Sequence, residues 1–408
     1  MMRVLVVSQY FWPESFRINE VVASLVERGV DVDVLTAKPN YPEGTVFEGY
    51  SAWGCERGLW KGARIHRVPI VPRGRKSAWR LALNYLSFVF SASSLGAWML
   101  RGTKPDAIFV YAPSPLLQAL PALFLGWLKR VPVVLNVQDL WPESIEATGY
   151  VRNRFAIGLV ERVVRFIYRH TDTILVSSRP FTESIRRFSP KAEIIYYPNS
   201  VDSAFCDPAA GTAADVAALD DGFCVVFAGN VGAAQAVQVI ADAAERLLDV
   251  PEIRLVVLGS GSELDWMRRR KDERRLANLF LAGRFPVETM PFLLAKASVL
   301  LVTLADRPIF AATVPNKIQA YLAVGRPIIA CLNGEGGRIV EEAEAGIAVP
   351  AEDCDKLAAA IREMHARSPE VRGAMGWNGQ AYFRTNFDHE KLVSDLIEHL
   401  ETAVGTKK

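Results

Sequence analysis

Hydrophobic residues in this chain gather into short unbroken runs separated by amphipathic stretches. Val4–Val7, Val32–Leu35, Ala107–Val110, Val133–Val137, Thr173–Val176 and Glu193–Tyr196 are four or five residues long. They are rich in β-branched residues and apolar on both faces, the pattern of strands buried in a parallel sheet. Helical stretches such as 19–28 lie between them and suit right-handed crossovers. The alternation breaks over residues 196–222, which are rich in Pro, Ala, Asp and Gly. A second series follows at Cys224–Phe227, Leu255–Leu258, Leu279–Ala282, Val299–Val302, Pro327–Ala330 and Ile347–Val349, and the helical stretch Asp388–Thr402 closes the chain. The pattern predicts an α/β protein with two doubly wound domains facing a central cleft. The N-terminal domain is expected over 1–198, a linker over 199–222, the C-terminal domain over 223–385, and a helix over 386–408 packing back toward the N-terminal domain. Open α/β sheets bind ligands beyond the carboxyl ends of their strands, so the loops that follow strands are the ones to read for chemistry.

One run is longer. From Leu81 to Leu100, 20 residues carry no charge, about the length of a membrane span. Asn84, Ser87, Ser91 and Ser94 recur at helical spacing and form one narrow polar stripe, and Arg73, Arg75, Lys76 and Arg80 precede the run. Three readings stand: a core helix of the first domain, a helix set partly into the inner face of a membrane with those basic residues on anionic lipid, and a true span, which the α/β segments on both sides oppose.

Composition narrows the function classes. The 408 residues carry 47 basic and 45 acidic side chains, net +2, so nothing favours a nucleic-acid partner. Half the residues are hydrophobic and 23% are charged, which excludes a disordered chain. Five scattered cysteines form no C-x-x-C pair, and the five histidines form no H-x-H or H-x-x-x-H cluster, so neither a disulfide framework nor a metal centre is expected. Asp31 and Asp33 have D-x-D spacing but lie in a predicted strand with no loop to gather them, and read as a solvated strand face. There is no G-x-S-x-G elbow and no Walker lysine motif. The N-terminus, MMRVLVVSQYF, reads as a strand with no cleavage site after it, and the expectation is a cytoplasmic protein.

Four post-strand loops are candidates. Gly229-Asn230-Val231-Gly232 follows a strand and precedes a helix expected near Ala233; it suits an anion at a helix N-terminus or a plain tight turn equally well. Gly259-Ser260-Gly261-Ser262 is a second such turn, with Ser262 as a plausible N-cap, and the structural reading is favoured. In Thr313-Val314-Pro315-Asn316-Lys317, Pro315 suits the first turn of a helix that Gly325 ends. Lys317 in that first turn opposes the helix dipole by about 0.3–1 kcal/mol unless an anion binds there; otherwise it is a solvated lysine. Finally, Asp139 and Glu143 flank the Trp141-Pro142 turn after a strand, and either suits a hydroxyl contact, a base, a cap or an ion pair.

Taken together these segments resemble a known family. VSQYFWPE near the N-terminus, YAPSPL at Tyr111–Leu116, DLWPES at Asp139–Ser144, PNSVD at Pro198–Asp202, FAGNVGAAQ at Phe227–Gln235, AGRFP at Ala282–Pro286 and VPNKIQAYLAVGRPIIA at Val314–Ala330 are similar to the family 4 retaining glycosyltransferases of GT-B fold, nearest the WbuB/WcaI-type bacterial polysaccharide enzymes. The resemblance implies two Rossmann-like domains and a metal-independent hexosyltransferase. It would move an N-acetylated hexosamine or deoxyhexosamine from a UDP-sugar, with retention, to a lipid-diphosphate-linked saccharide for O-antigen or capsule synthesis, peripherally at the inner face of the cytoplasmic membrane. It also implies donor contacts from Gly229, Asn230, Gly232, Gly259, Arg284, Phe285, Thr313, Pro315, Asn316 and Lys317. Catalytic roles fall to Asp139, Lys317 and Arg284, sugar or acceptor contacts to Glu14, Asp139 and Glu143, and membrane docking to Arg73, Arg75, Lys76 and Arg80. Four positions depart from the wider family: Ala312 and Ala320 stand in place of two glutamates, and Asn230 and Gln235 in place of an Arg and a Lys. Two rivals are therefore kept, a catalytically silent GT-B subunit docked on a membrane partner and a UDP-sugar epimerase.

Overall fold

The short apolar runs become the central strands of two sheets. The computed structural model describes residues 1–74, 78–148, 153–201, 203–207 and 212–407. They divide into one unit made of Met1–Tyr197 and Glu390–Lys408 and a second made of Pro198–His389.

In the first unit the chain runs β1 (Arg3–Val7), α1 (Ile18–Glu27), β2 (Asp31–Ala37), β3 (Glu56–Trp60), β4 (Ala63–Val68), α2 (Ala78–Ser91), a π turn (Ala92–Gly96), α3 (Ala97–Met99), β5 (Ala107–Ala112), α4 (Ala119–Lys129), β6 (Val133–Val137), α5 (Glu143–Thr148), α6 (Arg154–His170), β7 (Thr173–Val176), α7 (Phe181–Phe188) and β8 (Glu193–Tyr196). The strand order is β3-β4-β2-β1-β5-β6-β7-β8, parallel except for β3 against β4. Val4–Val7 and all of β5 are buried, which is why these strands show no polar alternation. The order reverses between β1 and β5, so their following loops diverge and open a switch point.

The second unit runs β9 (Phe223–Ala228), α8 (Gln238–Arg246), β10 (Ile253–Leu258), α9 (Leu264–Arg274), β11 (Leu279–Gly283), α10 (Met290–Ala295), β12 (Val299–Thr303), α11 (Pro308–Ala312), α12 (Asn316–Val324), β13 (Ile328–Cys331), α13 (Glu335–Glu342), β14 (Gly346–Val349), α14 (Cys354–Ala366) and α15 (Pro369–Asn386), and is followed by α16 (His389–Lys407). Its parallel order, β11-β10-β9-β12-β13-β14, reverses between β9 and β12. Residues 199–222, expected as a linker, contribute Val201, Val216 and Leu219 to the core of this unit. The closing helix α16 buries Leu392, Val393, Leu396 and Leu400 among Val4, Val6 and Phe109 of the first unit.

Two sequence readings change. The stretch Leu81–Leu100 is α2, the π turn and α3, and among the described residues no helix is long and apolar enough to cross a membrane. The D-x-D pair is not a solvated face. Asp33 is buried, with Arg64 donating to both carboxylate oxygens at 2.9 and 2.7 Å and His66 Nε2 2.8 Å from Oδ1. Burial alone pushes its carboxyl up, but the hydrogen bonds from His66 and Arg64 outweigh that and hold it at about 2. The neighbouring strand β4 supplies both partners, a pairing that spacing along β2 does not reveal. Asp33→Ala takes the carboxylate from buried His66 and one of two from half-exposed Arg64, which keeps Asp31 at 2.7 Å, and is expected to cost about 1–3 kcal/mol, read as a lower urea midpoint. A depressed folded value also means this stability holds above pH 4 and is lost as pH falls toward 2.

Candidate functional site

In the second unit the site grows from the ends of the central strands. β9 ends at Ala228 and the chain turns at Gly229, whose φ is +129°. β10 ends at Leu258 and turns at Gly259, with φ +157°. The two turns are zipped together: Gly229 N–H donates to Leu258 O at 2.8 Å and Val231 N–H to Ser260 O at 2.9 Å, while Gly259 N–H ties the second turn to the end of β11 at Gly283 O, 2.6 Å away. A Cβ on Gly259 would stand 1.8 Å from Gly229 O. The glycine at 259 is therefore required for close backbone approach. The helix expected near Ala233 begins as a 3₁₀ turn, Ala233–Gln235, and α8 starts only at Gln238. Ser262 does not cap α9, whose N-cap is Glu263 with no side-chain bond.

Lys317 enters this corner from α12. Pro315 is the N-cap, Lys317 is the second helical residue, and Gly325 closes the helix in the left-handed region, as the spacing implied. Lys317 is half-buried as a residue, but its Nζ is sealed from solvent without a hydrogen-bond partner. It lies 3.8 Å from the centre of the Phe227 ring. Its stem lies along Gly229, where a Cβ would meet Cε at 2.7 Å and Nζ at 3.0 Å. Burial pushes the ammonium down to about 7. A buried cation with one aromatic face and no counter-ion is costly, and an incoming anion relieves that cost.

Other predicted donor residues are placed differently. Asn230 Nδ2 donates to Gln235 Oε1 at 3.1 Å, so the two residues standing for the family's Arg and Lys bond each other. Gly232 is buried beneath Asn230, whose Nδ2 is 2.6 Å from the place of a Cβ. Thr313 spends its hydroxyl on Ile309 O at 2.8 Å. Asn316 Oδ1 accepts from Asn199 at 3.3 Å. Phe285 packs on the unit's core, and Arg284 stands exposed just beyond β11. No contact joins Arg284 to Lys317 among the described residues. Sequence reasoning missed Phe227 and Tyr321. The hydroxyl of Tyr321, one turn after Lys317, accepts from Ala228 N–H at 3.1 Å and ties α12 to the end of β9. The i,i+4 pairing of Lys317 and Tyr321 on one helix face was the available signal.

In the first unit, Asp139 follows β6 and burial pushes its carboxyl up to about 6. Trp141 Nε1 donates to Ser114 Oγ at 3.2 Å, fixing the turn that leads to Glu143 at the start of α5. Glu14 is 2% exposed. Its Oε1 accepts the N–H groups of Asn40 and Tyr41 at 2.8 and 2.7 Å, and Oε2 accepts that of Phe11 at 3.3 Å. Burial pushes it up to about 7 against those three donors. Its carboxylate therefore organises its own loops rather than facing outward. Arg73 lies 5.1 Å over the Tyr41 ring, and Arg80 is exposed. Arg75 and Lys76 lie outside the described residues. Among those described, no group of three His, Cys, Asp or Glu is gathered as metal ligands.

Residues 15–200 match the family model described as glycosyl transferase 4-like domain, and residues 222–367 match that of glycosyl transferases group 1. The chain is a family 4 glycosyltransferase of GT-B fold. This glycosyltransferase is 27% identical over 381 residues to the putative colanic acid biosynthesis glycosyl transferase WcaI of Escherichia coli K12, covering 89% of this chain and 92% of that one. Its fold is shared with sucrose-phosphate synthase of Thermosynechococcus elongatus, at TM-score 0.73 and 17% identity over the whole of both chains. Anabaena HepE, solved in complex with UDP-glucose, aligns at TM-score 0.64 and 13% identity over 98% of this chain and 100% of that one. The Gly229 and Gly259 turns and the Pro315-Asn316-Lys317 helix start on which the resemblance rests are formed, and Ala320 packs on the core.

Proposed function

We propose that this glycosyltransferase moves an N-acetylated hexosamine or deoxyhexosamine from a UDP-sugar to a lipid-diphosphate-linked saccharide, with retention and without a metal ion. The setting is bacterial surface polysaccharide synthesis at the inner face of the cytoplasmic membrane. The observation that carries the reading is Lys317: a buried ammonium without a hydrogen-bond partner, set at a helix N-terminus beside a glycine turn. A nucleotide diphosphate supplies the missing negative charge. Likeness to WcaI, named as a putative colanic acid biosynthesis glycosyl transferase, and to HepE, solved with UDP-glucose, supports donor class and pathway type.

In the reaction the acceptor hydroxyl oxygen bonds to the anomeric carbon as the bond from that carbon to the UDP oxygen breaks; the electron pair of the broken bond stays on the diphosphate, which takes up the hydroxyl proton. Lys317 and the backbone at Gly229–Gly232 neutralise that charge, with Arg284 assigned to the same leaving group. Removing one such fixed donor typically costs about 3–4 kcal/mol of barrier. Asp139, held neutral more readily than a solvated carboxyl, is assigned to the sugar or the acceptor hydroxyl, and Glu143 to the acceptor. Glu14 holds the loops that frame that side.

The test is UDP release from a panel of UDP-sugars with detergent-solubilised lipid-linked acceptor, with the anomeric configuration of the product read by NMR. Release dependent on acceptor, with an α-donor giving an α-product and insensitive to EDTA, is expected. No release with any donor makes the protein a silent subunit, and donor turnover without acceptor makes it an epimerase.

A further inference from the structure

The first unit wears its apolar side chains on the outside of three neighbouring helices. On α2 and α3 the outward stripe includes Leu86, Phe90 and Trp98, while the polar Asn84 and Ser91 face inward. Asn84 is fully buried, donates to Val71 O at 2.7 Å and accepts from Gln9 at 2.7 Å; Ser91 donates to Pro69 O at 2.8 Å. The polarity of an ordinary surface helix is thus reversed. α4, which packs between α2 and α6, has no polar residue before its final lysine, and its Trp127 is 75% exposed. On α6, Phe155 is 82% exposed and Phe166 is half-exposed on the same outer stripe. Between α4 and α6 lies an apolar groove of about 690 Å³, lined by Leu120, Leu123, Trp127 and Phe166 and bordered by Arg130 and by the ion pair of Lys407 with Asp172 at 2.8 Å.

The charge around this face is mainly positive. From Ala78 to Arg130, the stretch that carries α2 to α4, the sequence holds five lysines and arginines and a single acid, Asp106. α6 adds four arginines against Glu161. Exposed apolar patches mark interaction surfaces, and aromatic side chains ringed by Lys and Arg match the headgroup boundary of an anionic bilayer, where tryptophan concentrates. A second copy of this chain offers no such match, because its own copy of the face carries the same positive charge.

We infer that the α2–α4–α6 face lies flat on an anionic phospholipid bilayer, with the groove between α4 and α6 receiving one lipid chain whose phosphate rests by Arg130. This deepens the proposed membrane setting, on which it rests. Its assay reads lipid binding rather than sugar transfer, so the two fail separately.

The experiment is flotation of the full chain with vesicles of phosphatidylcholine alone or with about one third phosphatidylglycerol. Most of the wild type is expected to float with the anionic vesicles and little with the neutral ones, with binding weakened by raising salt from about 0.1 to 0.5 M. Phe90→Glu with Trp127→Glu is expected to cut the bound fraction about tenfold, and Arg130→Glu to cut it mainly at low salt. All these sites are exposed, so unchanged far-UV melting is expected. Chain-brominated lipid should quench wild-type fluorescence more than that of Trp127→Phe. Absent vesicle binding, equal binding to neutral vesicles, or undiminished binding by the double variant overturns the inference. A wild-type dimer in lipid-free buffer that the double variant breaks assigns the face to a second copy instead and also overturns it.

Discussion

Lys317→Met is expected to raise the melting temperature of the glycosyltransferase by about 5 °C and to lower its turnover by about two to three orders of magnitude. The stability gain comes from an ammonium that folding removes from water without giving it a counter-ion. Its folded value, about 7, lies below the 10.5 of a free lysine. A lowered folded value for a base means that protonation opposes folding. The penalty is full below about pH 7 and disappears as pH rises toward 10.5. Each unit of difference is worth about 1.4 kcal/mol. Allowing for water penetration, a gain of about 2 kcal/mol for the uncharged isostere is a reasonable scale, and the melting gap between wild type and variant should close between pH 7 and 10. The turnover loss comes from the same charge, which the leaving diphosphate needs. UDP binding should take up a proton above pH 7, so wild-type affinity should fall with rising pH and that of the methionine variant should not. Should Lys317→Met melt lower than wild type, or keep turnover within tenfold, Lys317 is not the diphosphate's partner.

Gly259→Ala is expected to destabilise the second unit by about 4 kcal/mol or more, at the far end of what single substitutions do, and to weaken UDP binding at least tenfold. The added carbon meets a carbonyl oxygen rather than a yielding side chain, at 1.8 Å, and φ at 259 is in the region that favours glycine. Relief requires separating the 229 and 259 turns, which are joined by backbone hydrogen bonds on which the seat of Lys317 depends. The comparison is Gly373→Ala, on an exposed turn of α15 with nothing within 4 Å of the new atom. That change should leave UDP binding alone and add up to about 1 kcal/mol of stability. Calorimetry with and without UDP separates the two, and equal behaviour of the two variants would remove the zipped glycine turns from the site.

Much of the architecture was legible because a buried parallel strand must be apolar on both faces, and that leaves a mark in four or five consecutive residues. Each such run became a strand, from Val4–Val7 to Ile347–Val349. The hairpin β3–β4 left no such mark. β3, Glu56–Trp60, is an exposed edge with charged and small residues, and its register comes from the Lys61-Gly62 turn, where φ is +45° and +85°. The extent of α12 was legible as well, since Pro315 and Gly325 are helix signals whose meaning is local. Which way a polar side chain points was not. The stripe of Asn84, Ser87, Ser91 and Ser94 was visible as a stripe, and nothing local said that its first three members turn inward while Ser94 stays exposed, because that depends on carbonyls at Pro69 and Val71 finding partners.

The sequence by itself determined the succession of strands and helices apart from the β3–β4 hairpin, the division near residue 198, the helix that carries Lys317 and the family. These follow from periodicity and short-range backbone chemistry, which act over a few residues. Only the tertiary structure decided that the Lys317 ammonium is dry and sits on Phe227, that Gly259 is held against Gly229, that Asp33 is paired with Arg64 and His66, and that Glu14 serves its own loops. Solvation and charge pairing depend on groups 26 to 90 residues apart in the chain, and they come into being only when the strands bring those groups together.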